Sequence, residues 1–317
     1  MFEKKFSVGL NLSEPEENII DFMEKYHEVL NSVYFSLPLG RTFYSRTQLE
    51  QEYRDEEKFL RIVQAIGQYG IRREVTLNTY HLSMEDVKRA FSYMDATFVP
   101  EEIVCLENYG KAIKDKYPTV ELKYSFNNSL NLEKLPAGFD TIVVGKEFLR
   151  NEAMRHRLID HSYGVTLLLN NGCAFSCHQS CSADRCKTLT EKLLQNRSVD
   201  ELYAQQSFFP EELRLIFEHD PYGKKYKFKI SNRPLGIKYT SRVLDEYISM
   251  GNPPRGQFSD WKRYGDFCTC NQMAIRFQKL DIENVMAYKS QYAGEYVNGV
   301  ISISTSSSTG GNGQRSY

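Results

Sequence analysis

The sequence predicts a closed (β/α)8 TIM-type barrel with a short C-terminal extension. Two observations predict it. Short β-rich runs alternate with longer stretches of helical spacing eight times in order, and such alternation builds a parallel sheet. The strand ends are polar, with Asn at five of the eight, as expected where loops at one barrel face line a site. A doubly wound open sheet is the runner-up.

Phe6–Leu12 reads as the first strand. Ser13-Glu14-Pro15-Glu16 has the form of a capping box, and Ile19, Ile20, Phe22, Met23 and Tyr26 follow at helical spacing. Ser32–Leu37 is the second strand. A charged helix over Leu49–Tyr69 buries Phe59, Leu60, Ile62, Val63 and Ile66 and stops at Gly70. Glu74–Leu77 is the third strand. Ser83-Met84-Glu85-Asp86 is a second capping box, opening a helix that runs to Met94.

Asp95–Val99 reads as the fourth strand, stopped by Pro100. A helix over Glu101–Tyr117 then holds Cys105 as a small core residue. Val120–Phe126 is the fifth strand, with a short helical connection over Asn131–Gly138. Thr141–Val144 is the sixth, with a helix over Arg150–Ile159. Val165–Leu169 is the seventh and Lys227–Ile230 the eighth, followed by a helix over Tyr239–Met250. The insertion Lys187–Gly223 holds a helix at Leu189–Leu194 and another from Pro210. The barrel therefore occupies 1–251. An extension over 252–301 carries Cys268-Thr269-Cys270 and a helix near Asp281–Gln291, and Ser302–Tyr317 is a polar flexible tail.

The 317 residues suffice for a full core, and the formal charge of −1 gives no whole-chain electrostatic footprint for nucleic acid. A local basic patch, and with it an RNA substrate, stays open. No apolar run approaches the roughly 20 residues that span a bilayer, so no membrane partner is expected. The N-terminal run is too short for a signal peptide, which points to the cytoplasm. In a reducing compartment clustered cysteines are metal ligands or redox groups more often than disulfides.

The chemistry concentrates in Gly164–Lys187. An apolar strand breaks into Asn170-Asn171-Gly172, and Cys173, Cys177, Cys181 and Cys186 follow with spacing C-x3-C-x3-C-x4-C. Thiolates select zinc or iron–sulfur clusters. The spacing matches neither paired zinc motifs nor the C-x3-C-x2-C of radical S-adenosylmethionine enzymes. Cys268 and Cys270 are further ligand candidates, and His178 lies inside the cluster. His156 and His161 flank a helix and cap or solvate it. At the strand ends, Arg41, Asn78, Asn127, Asn171 and Arg233 are candidate substrate-binding residues; His81 and Glu147 are candidate acid/base groups. Asn also favours strand-to-loop turns for local reasons. No G-x-S-x-G, H-E-x-x-H, P-loop or G-x-G-x-x-G is present.

Three segments, Asp95–Pro100, Val120–Asn127 and Phe139–Glu147, together resemble the core of the collagenase-like peptidase family U-32. Val143–Leu149 is similar to that family's V-V-x-G-R-E-L element, Asn171-Gly172-Cys173 to its N-x-G-x-C, and Lys229–Arg233 to its K-I-x-G-R. The resemblance covers about residues 90–250. Lys146 stands where the family has Arg, and Asn232 where it has Gly. The family's longer accessory regions are missing. The resemblance implies a barrel with a 4Fe–4S cluster on four cysteines and oxygen-independent hydroxylation of a ubiquinone precursor or an RNA base. It puts Cys173 and Cys177 first among the ligands, Cys181 or Cys186 third, and the fourth in this loop or at Cys268 or Cys270.

The leading expectation is an iron–sulfur redox enzyme acting on a polar substrate, with an electron donor or partner subunit. The alternatives are a metal-dependent peptidase or hydrolase, with zinc in place of the cluster, and a non-catalytic subunit with a structural metal.

Overall fold

In the computed structural model the chain forms a closed barrel of eight parallel strands in sequence order, with the last pairing back onto the first. The described residues are 2–44, 53–79, 82–125, 137–144, 152–170, 213, 216–217, 220–231 and 236–249. The strands are β1 (Phe6–Gly9), β2 (Leu30–Phe35), β3 (Arg72–Leu77), β4 (Glu102–Cys105), β5 (Glu121–Ser125), β6 (Thr141–Val144), β7 (Gly164–Leu168) and β8 (Lys227–Ile230). The helices among these residues are α1 (Glu16–Tyr26), α2 (Glu56–Gln68), α3 (Met84–Thr97), α4 (Gly110–Lys116), α5 (Glu152–Asp160) and α6 (Ile237–Ile248). None is long and apolar enough to cross a membrane.

Period-2 alternation divides each strand between two surfaces. Val8, Val33, Val75, Ile103, Leu122, Ile142, Val165 and Phe228 join the apolar core under the helices. The alternate positions face the barrel interior. The helices present matching stripes: Ile19, Phe22, Met23 and Tyr26 on α1, and Phe59, Ile62, Val63 and Ile66 on α2. Burying these stripes against the sheet is what holds short helices in place.

Local signals hold in part. Ser83 and Asp86 form the expected reciprocal capping box on α3. Ser13 does not cap α1. Its amide and hydroxyl both donate to Asn11 Oδ1, and the helix begins at Glu16 with no side-chain cap. Asp55 caps α2 by accepting from the Lys58 amide.

The fourth unit corrects the sequence expectation. Asp95-Ala96-Thr97 is the last turn of α3, and the strand is Glu102–Cys105, with Cys105 on a strand rather than a helix. Pro100-Glu101-Glu102 imitates a helix start with an acidic first turn. Its carboxylates have other partners: Glu101 pairs with Arg73 and Glu102 with Lys123. The other seven strands coincide with the expected runs to within three residues at either end. The extension after residue 251 lies outside the described residues.

Candidate active site at the barrel mouth

Barrel interiors are usually filled by branched apolar side chains. Here the lower and middle interior is charged. At the N-terminal end, Arg72 Nη1 lies 2.6 Å from Glu102 Oε1 and 2.5 Å from Glu121 Oε2. Lys227 Nζ lies 3.0 Å from Glu121 Oε2 and 3.7 Å from Glu102 Oε1. Asn31 and Thr141 donate to Glu102 and Glu121 at 2.9 Å each. One layer higher, Lys123 bridges Glu74, at 2.8 Å, and Glu102. Lys229 Nζ reaches the other Glu74 oxygen at 2.6 Å. Ser32 donates to Glu74 at 2.9 Å and shares a hydrogen bond with Ser7.

Burial would push every charge here toward its neutral form, and the ion pairs oppose that. Against burial, Lys123 and Lys229 hold the Glu74 carboxyl well below the usual range. Lys123, Lys227 and Arg72 likewise hold Glu121 down to about 2. Lys123 goes up despite burial, because Glu74, Glu102 and Glu121 surround it. Lys229 goes the other way: burial lowers it, Glu74 restores only part, and Lys123 adds to the lowering.

Above this floor the interior turns to small polar groups. Tyr34 lies across it, donating its hydroxyl to the Ile230 carbonyl at 2.9 Å, with Lys229 Nζ 4.0 Å from the ring centroid. The ring fits because β1 has Gly9 there; a Cβ on Gly9 would sit 2.5 Å from it. Ser36 and Thr76 hydrogen-bond at 3.2 Å, and Asn78 Nδ2 donates to Ser125 at 3.0 Å. Asn170 closes the gap between the last two strands. Its Oδ1 accepts from the Ser231 amide at 2.6 Å, its Nδ2 donates to the Ser231 carbonyl at 3.4 Å, and its own carbonyl accepts from the Ser231 hydroxyl.

Of the candidates from sequence, Asn78 stands at this mouth, as does Asn170, the neighbour of the candidate Asn171. Arg41 is exposed in the turn after β2, which Thr79 ties down by donating to the Thr42 carbonyl at 2.7 Å. Asn11 serves its local turn. His156 bonds Asp220 at 2.8 Å, beside Arg155 and Tyr226, which bond the same carboxylate. His81, Asn127, Glu147, Asn171, Arg233, Cys173, Cys177, Cys181, Cys186, Cys268 and Cys270 lie outside the described residues. Cys105 is buried in the core, where burial pushes its thiol up to about 12, so it is a packing residue. Among the described residues no three His, Cys, Asp or Glu side chains group as a metal would need.

The charged floor is what sequence reasoning missed. Its signal was present in part as alternation: Glu74 and Thr76 flank Val75, Glu121, Lys123 and Ser125 flank Leu122 and Tyr124, and Lys227 and Lys229 flank Phe228, although Arg73 breaks the pattern between Arg72 and Glu74. In a barrel whose outer strand face is covered by helices, the polar half of such alternation must point inward.

No family model matches the chain. No curated protein matches it. Solved structures align with the chain at low similarity. Tryptophan synthase from M. tuberculosis is 10% identical with a TM-score of 0.42, covering 87% of this chain and 94% of that one. The HpcH/HpaI aldolase from Desulfitobacterium hafniense DCB-2 is 9% identical, TM-score 0.37, covering 80% and 94%. The YdjI aldolase from Escherichia coli K12 is 11% identical, TM-score 0.37, covering 89% and 91%. Nothing about chemistry or substrate follows from likeness at this level.

Proposed function

We propose that the chain is an enzyme that modifies a polar substrate at the C-terminal mouth of the barrel, using an iron–sulfur cluster held by the cysteines after β7. The observation that supports it most is the Asn170–Ser231 clamp. It ties the end of β7 to the end of β8 three residues before Cys173, the first cysteine of the C-x3-C-x3-C-x4-C segment. Enzymes of this fold work at that face. Thiolate donors fit an iron–sulfur cluster, which when bound supplies electron transfer or activates a substrate oxygen. Cys173 and Cys177 are the first ligands in this reading, with two more from Cys181, Cys186, Cys268 and Cys270.

The chain's own residues do the rest. The ion-paired floor seals the lower interior against water. Asn78 and Ser125 offer hydrogen bonds to a substrate held above it, as small polar groups in a pocket do. Turnover would need an electron donor, and the polar lining suits a small molecule or a flipped base equally. Serine replacement of Cys173 and Cys177 tests the reading. Each variant should lose most of its iron while keeping its circular dichroism. Unchanged metal content in both would refute it.

A further inference from the structure

Two lysines grip the same carboxylate, and they are not equivalent. Lys123 has two carboxylates within ion-pair distance and is fully buried. Lys229 has one, Glu74, which it shares with Lys123. In the described floor, four cations (Arg72, Lys123, Lys227 and Lys229) face three carboxylates (Glu74, Glu102 and Glu121). Arg72 and Lys227 reach solvent at the lower end, with side chains 34% and 26% exposed, so Lys123 and Lys229 are the two cations in the dry part of the barrel. Of these two, Lys229 has the fewer carboxylate partners. It stands at the top of the network under the Tyr34 ring and is 9% exposed, against 0% for Lys123. A desolvated lysine next to a second, locked cation is the standard arrangement for a nucleophilic amine. Two like groups whose surroundings push them apart take different chemical roles.

We infer that Lys229 is a catalytic amine that forms an imine with the carbonyl carbon of a small polar aldehyde or ketone entering from the barrel mouth, with Glu74 as its proton relay and Lys123 as the fixed cation on the other Glu74 oxygen. The step balances without any co-reactant. The Lys229 ammonium passes a proton to Glu74. The freed lone pair forms a C–N bond, and the carbonyl π pair moves to oxygen. That oxygen collects two protons, the one relayed by Glu74 and one more from the nitrogen, and leaves as water. The iminium nitrogen keeps the third hydrogen, and the single positive charge is conserved. The iminium then draws electrons from a bond next to the former carbonyl carbon. Nothing in this step depends on the cysteine segment.

The test is reductive trapping on the full-length chain, with glycolaldehyde and with pyruvate as separate probes and cyanoborohydride as reductant, followed by peptide mass mapping. The Lys229 peptide should gain the mass of the carbonyl less one oxygen atom. It should do so faster than peptides of exposed lysines. Lys123 should stay unmodified. Lys229→Arg keeps a cation for Glu74 and should abolish the fast adduct. If that variant does not fold, the wild-type peptide map decides alone. An adduct on Lys229 no faster than on exposed lysines with both probes, or one that forms only after unfolding, overturns the inference. Loss of the fast adduct on removing iron would tie it to the cluster and contradict its stated independence.

Discussion

Replacing Lys123 with Met removes the one cation that joins Glu74 to Glu102. The three residues are each 0% exposed, and the two carboxylates sit at paired register positions on β3 and β4. Without the ammonium, two like charges face each other in a dry interior. Removing one partner of a buried pair costs about 3–5 kcal/mol. The lower half of that range applies, because Glu74 keeps Lys229 and Ser32, and Glu102 keeps Arg72 and Asn31. For a barrel of this size, each kcal/mol lowers Tm by about 2–4 °C, so a fall of roughly 6–16 °C is expected. The cost should shrink toward about pH 5, because a proton can then replace the lost cation between the carboxylates. A second change, Glu102→Gln, removes one of the facing charges and should restore part of the loss. Urea unfolding followed by circular dichroism at neutral and acidic pH gives all three quantities. A loss below about 1 kcal/mol for Lys123→Met at neutral pH, or a double variant no more stable than the single one, would refute the reasoning.

The folded-state pKa of Glu121 is depressed to about 2, and that of Glu74 lies well below 4.5. Their stabilisation is therefore complete above the unfolded carboxyl value and lost as pH falls from about 5 toward 2, which acid titration of the urea midpoint measures. Cys105 should resist maleimide in the native chain and react only on unfolding, since burial pushes its thiol up to about 12; native labelling of its peptide would contradict the core assignment. Ser83→Ala should cost about 1 kcal/mol through loss of the α3 capping box, read from thermal melts. Gly9→Ala should destabilise and shift the near-ultraviolet signal of Tyr34, whose ring a new Cβ would meet at 2.5 Å.

Most of the fold was legible in the sequence because each strand's outward half is apolar and its limits are marked by Pro, Gly or Asn. Thr141–Val144 and Lys227–Ile230 were readable to the residue, each being a short β-rich run between turn residues. The fourth strand was not, because Pro100-Glu101-Glu102 carries a strong helix-start pattern. The Glu102–Lys123 and Glu101–Arg73 ion pairs outweigh that pattern in the folded chain. Asn170 was readable as a strand-end residue, but its bonds to Ser231 join positions 61 apart in the chain. The charged floor was hidden for the same reason. Glu74, Lys123 and Lys229 look like solvated charges until closure of the barrel brings three distant strands around one point.

The central claim, an iron–sulfur cluster at the mouth, is tested most directly by iron and acid-labile sulfide analysis of anaerobically purified protein, alongside its visible absorption. The account predicts a brown protein with about four iron and four sulfide per chain, bleached by reduction. A colourless chain with stoichiometric zinc, or with neither metal, would contradict it.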